Sequence, residues 1–542
     1  MPLHPETDFL VVGTGAGALA GAIAARMSGL NPLIIEKAST WGGTSALSGG
    51  GVWIPANPLM AREGVEDSLE AGLAYLDATI GDVGPASSPE RRMAYLRSGP
   101  EMVQALEDLG FGWRRAPRYP DYYPDYPGGR VGRTLEGVNI DGKRLGPWLD
   151  TMRRSAMPAM ALSTDAAPQI PTSLRSLKSF ASLMGVIGKT LSFRLKGQLP
   201  LSMGETLVAQ LMIIVQRMNI PVRLDTPLKS LIEEGGRITG AAVGTAEGDE
   251  TIAARRGVLL CAGGFAKDAA YRQPLQGVTG EWSPASPDDT GDAHRIGAAA
   301  GAQLALMDAA TWYPVSILPD GTINVGIWER TLPGSIIVDG KGERFVNEAA
   351  SYVDVGRAML DREQCWLVFD SRYRNRYFFG GTPPGMSGAL VRNGFFVTAP
   401  TLGELAAKCG IDGRGLEKTV GRVNAMAAQG VDDDFQRGGN VYDQYYGDPT
   451  HRPNPAFGPV DKAPFFATRF YPGDLSTKGG LMADEHARVL REDGSVIAGL
   501  YAAGNCAAPV MGRTYPGAGA TLGPSMVFAW IAAQHCAGEA AL

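Results

Sequence analysis

The chain has 542 residues, 44% hydrophobic and 20% charged, with a net charge of −6. That length exceeds what one hydrophobic core usually serves, so at least two domains are expected. The mildly acidic balance argues against a nucleic-acid binder, and the apolar content argues against a disordered chain.

The first residues, MPLHPETD, show no basic stretch ahead of an apolar core, so no secretory signal is expected and a cytoplasmic location is favoured. In DFLVVGTGAGALAGAIAARMSGLNPLIIEKA an apolar run over 9–12 meets Gly13, Gly15 and Ala18 before an Ala-rich helix, and a second apolar run ends in Glu36. This order predicts strand, tight turn, helix, strand rather than a membrane span, because glycine interrupts the uncharged stretch over 9–25. Gly13 allows the turn, Gly15 lets backbone approach a pyrophosphate, and Ala18 fills the third small position. The helix start offers free N–H groups to phosphate, and Glu36 suits a ribose. Ala16, Gly17 and Lys37 complete the expected contacts of this unit.

The next segment, WGGTSALSGGGVWIPAN (41–57), is rich in small residues: Gly42, Gly43, Thr44, Ser45, Ser48, Gly49, Gly50 and Gly51. Its backbone amides are expected to lie against an isoalloxazine and pyrophosphate, which points to FAD rather than NAD; the alternative is a flexible linker. YPDYYPDYPGG (119–129) clusters Tyr119, Tyr122, Tyr123 and Tyr126, which are either site phenols or loop packing. Residues 166–204 contain Arg175, Lys178, Lys189, Arg194 and Lys196 and no acid. Leu174, Leu177, Met184, Ile187 and Leu191 recur there at helical spacing, so a basic amphipathic helix within 171–196 is expected. It is read either as a peripheral contact with an anionic membrane, at the inner face of the cell membrane, or as a lid or subunit contact.

A strand over 257–261 runs into Ala262, Gly263 and Gly264, and DGSVIAGLYAAGNCAA (493–508) repeats that form with Gly504 and Asn505. Both are expected to join the nucleotide domain. The stretch 401–430 predicts two helices joined by an Asp-Gly turn, and the acidic run 432–434 a solvated loop. Five scattered cysteines without a C-x-x-C pair predict reduced thiols, and His4, His294, His451, His486 and His535 have no metal-ligand spacing, so no metal is expected. Near the end, Tyr515 lies in a Gly/Pro-rich turn, so its phenol and the Gly519 N–H can converge on one carbonyl oxygen.

GGTSALSGGGVWIP, TGDAHRIGAAAGA (290–302), IIVDGKGERFVNE (336–348), STKGGL (476–481) and GRTYPGAGATLGPSMVF (512–528) together resemble the 3-ketosteroid Δ1-dehydrogenases of the fumarate reductase flavoprotein family. The resemblance spans the chain in order, excepting about 147–199. It implies an α/β fold: a discontinuous Rossmann-like FAD-binding domain (1–312 and 478–542) with an inserted α+β catalytic domain (313–477) and the basic insertion at about 166–204. It implies that Tyr352 abstracts the substrate proton, that Tyr122 supports it, and that Tyr515 and Gly519 bind the carbonyl. Asp292 and Leu522 join Gly504, Asn505 and Gly519 among the expected cofactor contacts. The related dicarboxylate reducers carry a histidine and arginines for a dianion; here PVMGRTYPGAG has Arg513 alone. No histidine stands in WGGTSALSGGG, so non-covalent FAD is implied. The expected activity is 1,2-desaturation of a 3-oxosteroid, extending to substrates of the cholest-4-en-3-one type, with a quinone as external acceptor. The alternatives are 4,5-desaturation or another flavin-dependent alkene reduction, and a non-enzymatic binding protein that reuses the fold.

Overall fold

A computed structural model of the chain describes residues 6–155 and 158–538, and His4 lies outside them. The first apolar run forms the strand Glu6–Val12, in which Phe9, Leu10 and Val11 are fully buried. An unbroken apolar run of this kind suits a strand covered on both faces. Pro32–Ile35 and Gly248–Leu260 flank it in parallel, and Val222–Arg223 and Val496–Ala502 extend the sheet outward on the two sides. The first half of the long Gly248–Leu260 strand instead pairs antiparallel with Arg237–Thr245, which leads out to Leu228–Glu234. The result is an eight-stranded sheet with a parallel centre.

Helices Ala16–Met27 and Leu522–Gly538 pack against each other beside this sheet, and small residues set their separation. A Cβ added at Gly17 would lie 2.3 Å from the Ser525 Oγ, and one at Gly21 3.1 Å from the Ala529 Cβ. Five cysteines, Cys261, Cys365, Cys409, Cys506 and Cys536, are buried free thiols.

A second, six-stranded antiparallel sheet runs Ile323–Val325, Ala310–Ile317, Phe465–Thr477, Cys365–Asp370, Ser335–Asp339, with Val397–Ala399 beside Phe465–Thr477. All its strands come from between the two lengths of chain that build the first sheet. The helices Leu402–Cys409 and Gly413–Gln429 cover one side of it through Leu405, Leu416, Val420 and Val423. Asp412 ends the short connection between them and caps the second helix, accepting the Arg414 N–H at 3.1 Å.

The acidic run after these helices differs from the solvated loop its composition predicts. Asp432 is 2% exposed and accepts from Arg344 Nη2 at 2.8 Å. Arg344 also pairs with Glu348 at 2.8 Å, and Glu348 with Arg437 at 3.0 Å, all with side chains almost wholly buried. Asp433 and Asp434 behave as expected: both are exposed, and Asp434 pairs with Arg422. The buried network exists because each charge has a partner; removing one partner of such a set typically costs about 3–5 kcal/mol. It also fixes the chain just ahead of the helix Tyr352–Met359.

Ser176 caps the helix Leu177–Leu195 by accepting the Ser179 N–H at 3.0 Å, so the basic amphipathic segment is helical. Among the described residues no helix is long and apolar enough to cross a membrane.

Candidate active site

The predicted phenols meet where the two sheets adjoin. Tyr352 opens the helix Tyr352–Met359, which lies close on the strand Ala310–Ile317 because Gly356 faces it: a Cβ there would sit 2.5 Å from the Tyr313 nitrogen. That approach stacks the Tyr352 ring on Tyr313 with centroids 4.3 Å apart. Tyr122 belongs to the loop after the strand Trp113–Arg115 and donates to the Tyr352 oxygen at 3.2 Å. Tyr515 belongs to the turn before Leu522–Gly538, with its ring 5.5 Å from Tyr352 and 5.6 Å from Tyr122.

The two loops are stitched to each other. The Pro516 carbonyl accepts from the Tyr122 N–H at 2.8 Å and from the Tyr75 hydroxyl at 2.6 Å. Asp121, next to Tyr122, accepts from Trp53 Nε1 at 2.7 Å and Arg133 Nη1 at 2.8 Å. Burial raises this carboxyl to about 6 despite Arg133. Gly519 has φ of +97°, and a Cβ on it would lie 2.3 Å from the Gly51 carbonyl carbon and oxygen, so only glycine closes this turn.

Electrostatics separate the phenols. Burial pushes Tyr352 well above an ordinary tyrosine, Tyr515 adds to the rise, and the bond from Tyr122 pulls it back. The pull of the bond from Tyr122 is smaller than the desolvation it opposes. Burial also raises Tyr515, against hydrogen bonds from Thr521, Tyr352 and the Gly519 amide. The Gly519 N–H lies within hydrogen-bond reach of the Tyr515 hydroxyl, so the two groups are neighbours in the turn.

Several further residues join the cluster. Tyr122 packs on Tyr442 at 4.6 Å, and the Tyr119 hydroxyl links Tyr122, at 3.3 Å, to Tyr446. Tyr442 and Tyr446 come from YDQYY, whose aromatic density was the available clue. Tyr119 is a buried part of the cluster, whereas Tyr126 is 47% exposed and stacks only on Tyr123. Arg330 is fully buried among these rings, donates to the Ala350 carbonyl at 2.8 Å, and has no partner for its Nη2. Its charge counters part of the effect of burial on Tyr119, Tyr313 and Tyr442.

Lys478 was likewise missed. Its ammonium lies 5.5 Å from the centre of the Tyr515 ring and donates to the Thr514 carbonyl. It lines a cavity with Gly504, Asn505, Met511, Thr521 and Ser525. Burial pushes it down from 10.5 to about 7, with Asp354 pulling the other way. The unfolded chain then holds more protons than the folded one between these values. The cost to stability is full below pH 7 and vanishes as pH rises through 10.5. Lys478→Met is expected to gain stability relative to wild type as pH falls from 10 to 6 in thermal melts. Parallel curves would show that Lys478 is not a buried, displaced amine; the lost bond to Thr514 adds only a constant offset.

The nucleotide motif lies at the carboxyl ends of the parallel strands. Glu36 accepts from the Thr14 hydroxyl at 2.6 Å and the Ala38 N–H at 3.0 Å, and the Ala16 N–H donates to Ser45 Oγ at 3.1 Å. Residues 41–57 are no flexible linker: they hold the short helix Gly43–Leu47 and the strand Val52–Trp53. Gly43 and Gly49 would point a Cβ into open space. Gly13, Gly50, Gly263, Gly264 and Gly504 differ, since a Cβ on each would strike Cys261, Met203, Asp289, Thr477 or Ser525. Their small size makes room for protein, which composition could not separate from room for a ligand. Lys37 and Asp292, expected as separate contacts, pair with each other at 2.6 Å. Gly15, Gly42, Thr44, Ser48, Gly51, Ala262 and Asn505 lie around this end, and Leu522 starts the helix that leads away from Tyr515. A helix N-terminus, a strand-end carboxylate and bare glycine backbone suit the phosphates and ribose of a dinucleotide.

The chain matches the family described as FAD binding domain over residues 8–522. It is 40% identical to the 3-oxosteroid 1-dehydrogenase of Mycobacterium tuberculosis, across 99% of each chain. The crystal structure of the 3-ketosteroid Δ1-dehydrogenase from Sterolibacterium denitrificans in complex with 1,4-androstadiene-3,17-dione matches with a TM-score of 0.91 and 37% identity, covering 98% of this chain and 99% of that one. The 4-oxocyclohexanecarboxylate 2-dehydrogenase of Sinomonas cyclohexanicum is 34% identical over 98% of this chain and 93% of its own.

Proposed function

Because the chain belongs to the 3-oxosteroid 1-dehydrogenase family of FAD-binding flavoproteins, we propose that it converts 3-oxosteroids to their 1,2-unsaturated products. The observation that carries this reading is the convergence of Tyr122, Tyr352 and the Tyr515–Gly519 turn, from three separate parts of the chain, in one buried cluster.

The N-terminus of Ala16–Met27 and the Glu36 carboxylate would hold FAD without a covalent bond, and the cofactor would supply the acceptor for the hydride that leaves carbon 1. Tyr515 Oη and the Gly519 N–H hold the 3-oxo oxygen and stabilise the negative charge that collects on it as carbon 2 loses its proton. The N-terminus of Leu522–Gly538 adds positive potential on that side, joined by Lys478 only while that amine is protonated, below a pH of about 7. Tyr352 Oη receives the carbon-2 proton. Burial favours the protonated phenol, so the reactive form is the minor ionised one, and the bond donated by Tyr122 stabilises it. The phenol walls exclude water from the reacting carbons. Residues 6–312 and 478–538 form the FAD-binding part and 313–477 the part that closes over the substrate, in a cytoplasmic enzyme that passes its electrons to a quinone.

Anaerobic mixing of the purified yellow protein with androst-4-ene-3,17-dione is expected to bleach the flavin and yield the 1,4-diene. Bleaching instead by 5α-androstane-3,17-dione with 4,5-desaturation, or only by 4-oxocyclohexanecarboxylate, would replace the bond or the substrate class. A purified protein without a flavin spectrum would replace the enzyme reading altogether.

A further inference from the structure

Arg133, Arg272, Arg344 and Arg437 have buried side chains, and each pairs with a carboxylate. Arg330 is fully buried and pairs with no carboxylate among the described residues. Its Nη1 donates to the carbonyls of Glu348 and Ala350, while Nε and Nη2 have no partner. Arg91 and Arg374 also bond only to carbonyls, but each guanidinium lies over a phenylalanine ring, Phe528 at 4.8 Å and Phe396 at 5.8 Å. A phenylalanine ring cannot take up a charge. The rings that sense Arg330 are those of Tyr119, Tyr313 and Tyr442, which carry hydroxyls that can.

The acids near Arg330 are engaged elsewhere. Glu348 gives its carboxylate to Arg344 and Arg437. Asp443 accepts from the Asn347 amide at 2.9 Å and the Gly438 N–H at 2.8 Å, and Asp354 from the Tyr123 hydroxyl at 3.3 Å. Glu329 accepts from the Gly380 N–H at 3.2 Å and keeps its Oε2 without a partner rather than turning it to Arg330. Burial raises Glu329, Asp354 and Asp443, which favours their neutral forms. A buried cation with no anion beside it is strongly unfavourable. Here the phenols are the groups left to supply one.

Arg330 also holds the chain at the phenol that needs a cation. Ala350, whose carbonyl it binds at 2.8 Å, stands two residues ahead of Tyr352. The Tyr352 ring lies 4.3 Å from Tyr313, and the Tyr352 oxygen is linked through Tyr122, at 3.2 Å, to Tyr119, at 3.3 Å. We propose that Arg330 is a positioning residue for the proton transfer, the counter-ion of the phenolate form of Tyr352 and the anchor of the loop that presents it. This role rests on the steroid reading above. In the step, the bond from carbon 2 to its hydrogen breaks, the Tyr352 O–H bond forms, and the negative charge passes from the phenolate to the substrate. Arg330 raises the population of the phenolate by more than it weakens its basicity, because a general base feels only part of its pKa in the transition state.

The test uses the full-length FAD-loaded protein and androst-4-ene-3,17-dione. Arg330→Gln keeps an N–H donor for the Ala350 carbonyl and removes the charge; it is expected to lower kcat about tenfold while KM and the flavin spectrum stay as in wild type. Arg330→Lys restores the charge and is expected to recover most of that loss. In a Tyr352→Phe background, Arg330→Gln is expected to cost nothing further, because no phenolate is left there to stabilise. The role is overturned if Arg330→Gln turns over like wild type, if the Gln and Lys variants lose equally, or if the losses from Arg330→Gln and Tyr352→Phe multiply, as independent structural damage would. Should Arg330→Gln fail to fold, Arg330→Lys decides: kcat within about threefold of wild type sustains the role, and a tenfold loss overturns it. A wild type that oxidises no 3-oxosteroid would undo the substrate reading and this role with it, whereas multiplied losses in an active enzyme overturn the role alone.

Discussion

Tyr352→Phe is expected to lower turnover of androst-4-ene-3,17-dione by about 10²–10⁴-fold, the range over which a positioned general base usually acts. The substitution removes one oxygen and leaves the ring stacked on Tyr313, so the protein should keep its flavin spectrum and its melting temperature. The more specific readout is exchange. If Tyr352 takes the carbon-2 proton, the wild-type protein in D2O should label that carbon in recovered substrate, and the variant should not. Because burial holds the phenol well above the ordinary tyrosine range, its ionised fraction grows with pH, and wild-type turnover should climb through the mildly alkaline range. A variant with near-normal turnover, or one that still labels carbon 2, would remove Tyr352 from the proposed role.

Tyr515→Phe is expected to cost about a hundred- to a thousandfold, the usual loss when one donor to an oxyanion is removed. The charge on the carbonyl oxygen grows only as the reaction proceeds, so the loss should fall mainly on kcat rather than on KM. Exchange at carbon 2 should slow with turnover rather than disappear, which separates this residue from Tyr352. Gly519→Ala should behave differently again. Its Cβ would meet the Gly51 carbonyl at 2.3 Å from a backbone with φ of +97°, so the variant should lose stability as well as activity. A Tyr515→Phe protein with wild-type kcat would break the assignment of the carbonyl-binding donors.

The nucleotide fold was legible in the sequence because its signals are local. The run over 9–12, the small residues after it and the acid at 36 lie within one strand-turn-helix-strand unit, and each has a single structural use. The phenols were placed by family resemblance, since nothing near Tyr352 or Tyr122 announces that residues 230 positions apart share a hydrogen bond. Tyr313, Tyr442 and Tyr446 escaped for the same reason. Asp432 misled because three consecutive acids look solvated, while the arginine that neutralises it stands 88 positions away. The glycines show a further limit: a sequence records that a Cβ is missing but not whether a ligand or another strand occupies the space. In the basic segment, periodicity gave the helix, but only the fold shows that its apolar side is the one left uncovered.

The parallel sheet takes its strand Val496–Ala502 from beyond the whole catalytic region, and that order constrains how the enzyme is made. On the ribosome, Gly248–Leu260 emerges with one flank bare and stays so while the second sheet is synthesised. The edge awaiting Leu500 to Ala502 is apolar and unpaired during that interval, a state prone to association with other nascent chains. The strand-end face that suits a dinucleotide is complete only once the last helix has closed against Ala16–Met27, so the N-terminal unit waits for the final residues of the chain.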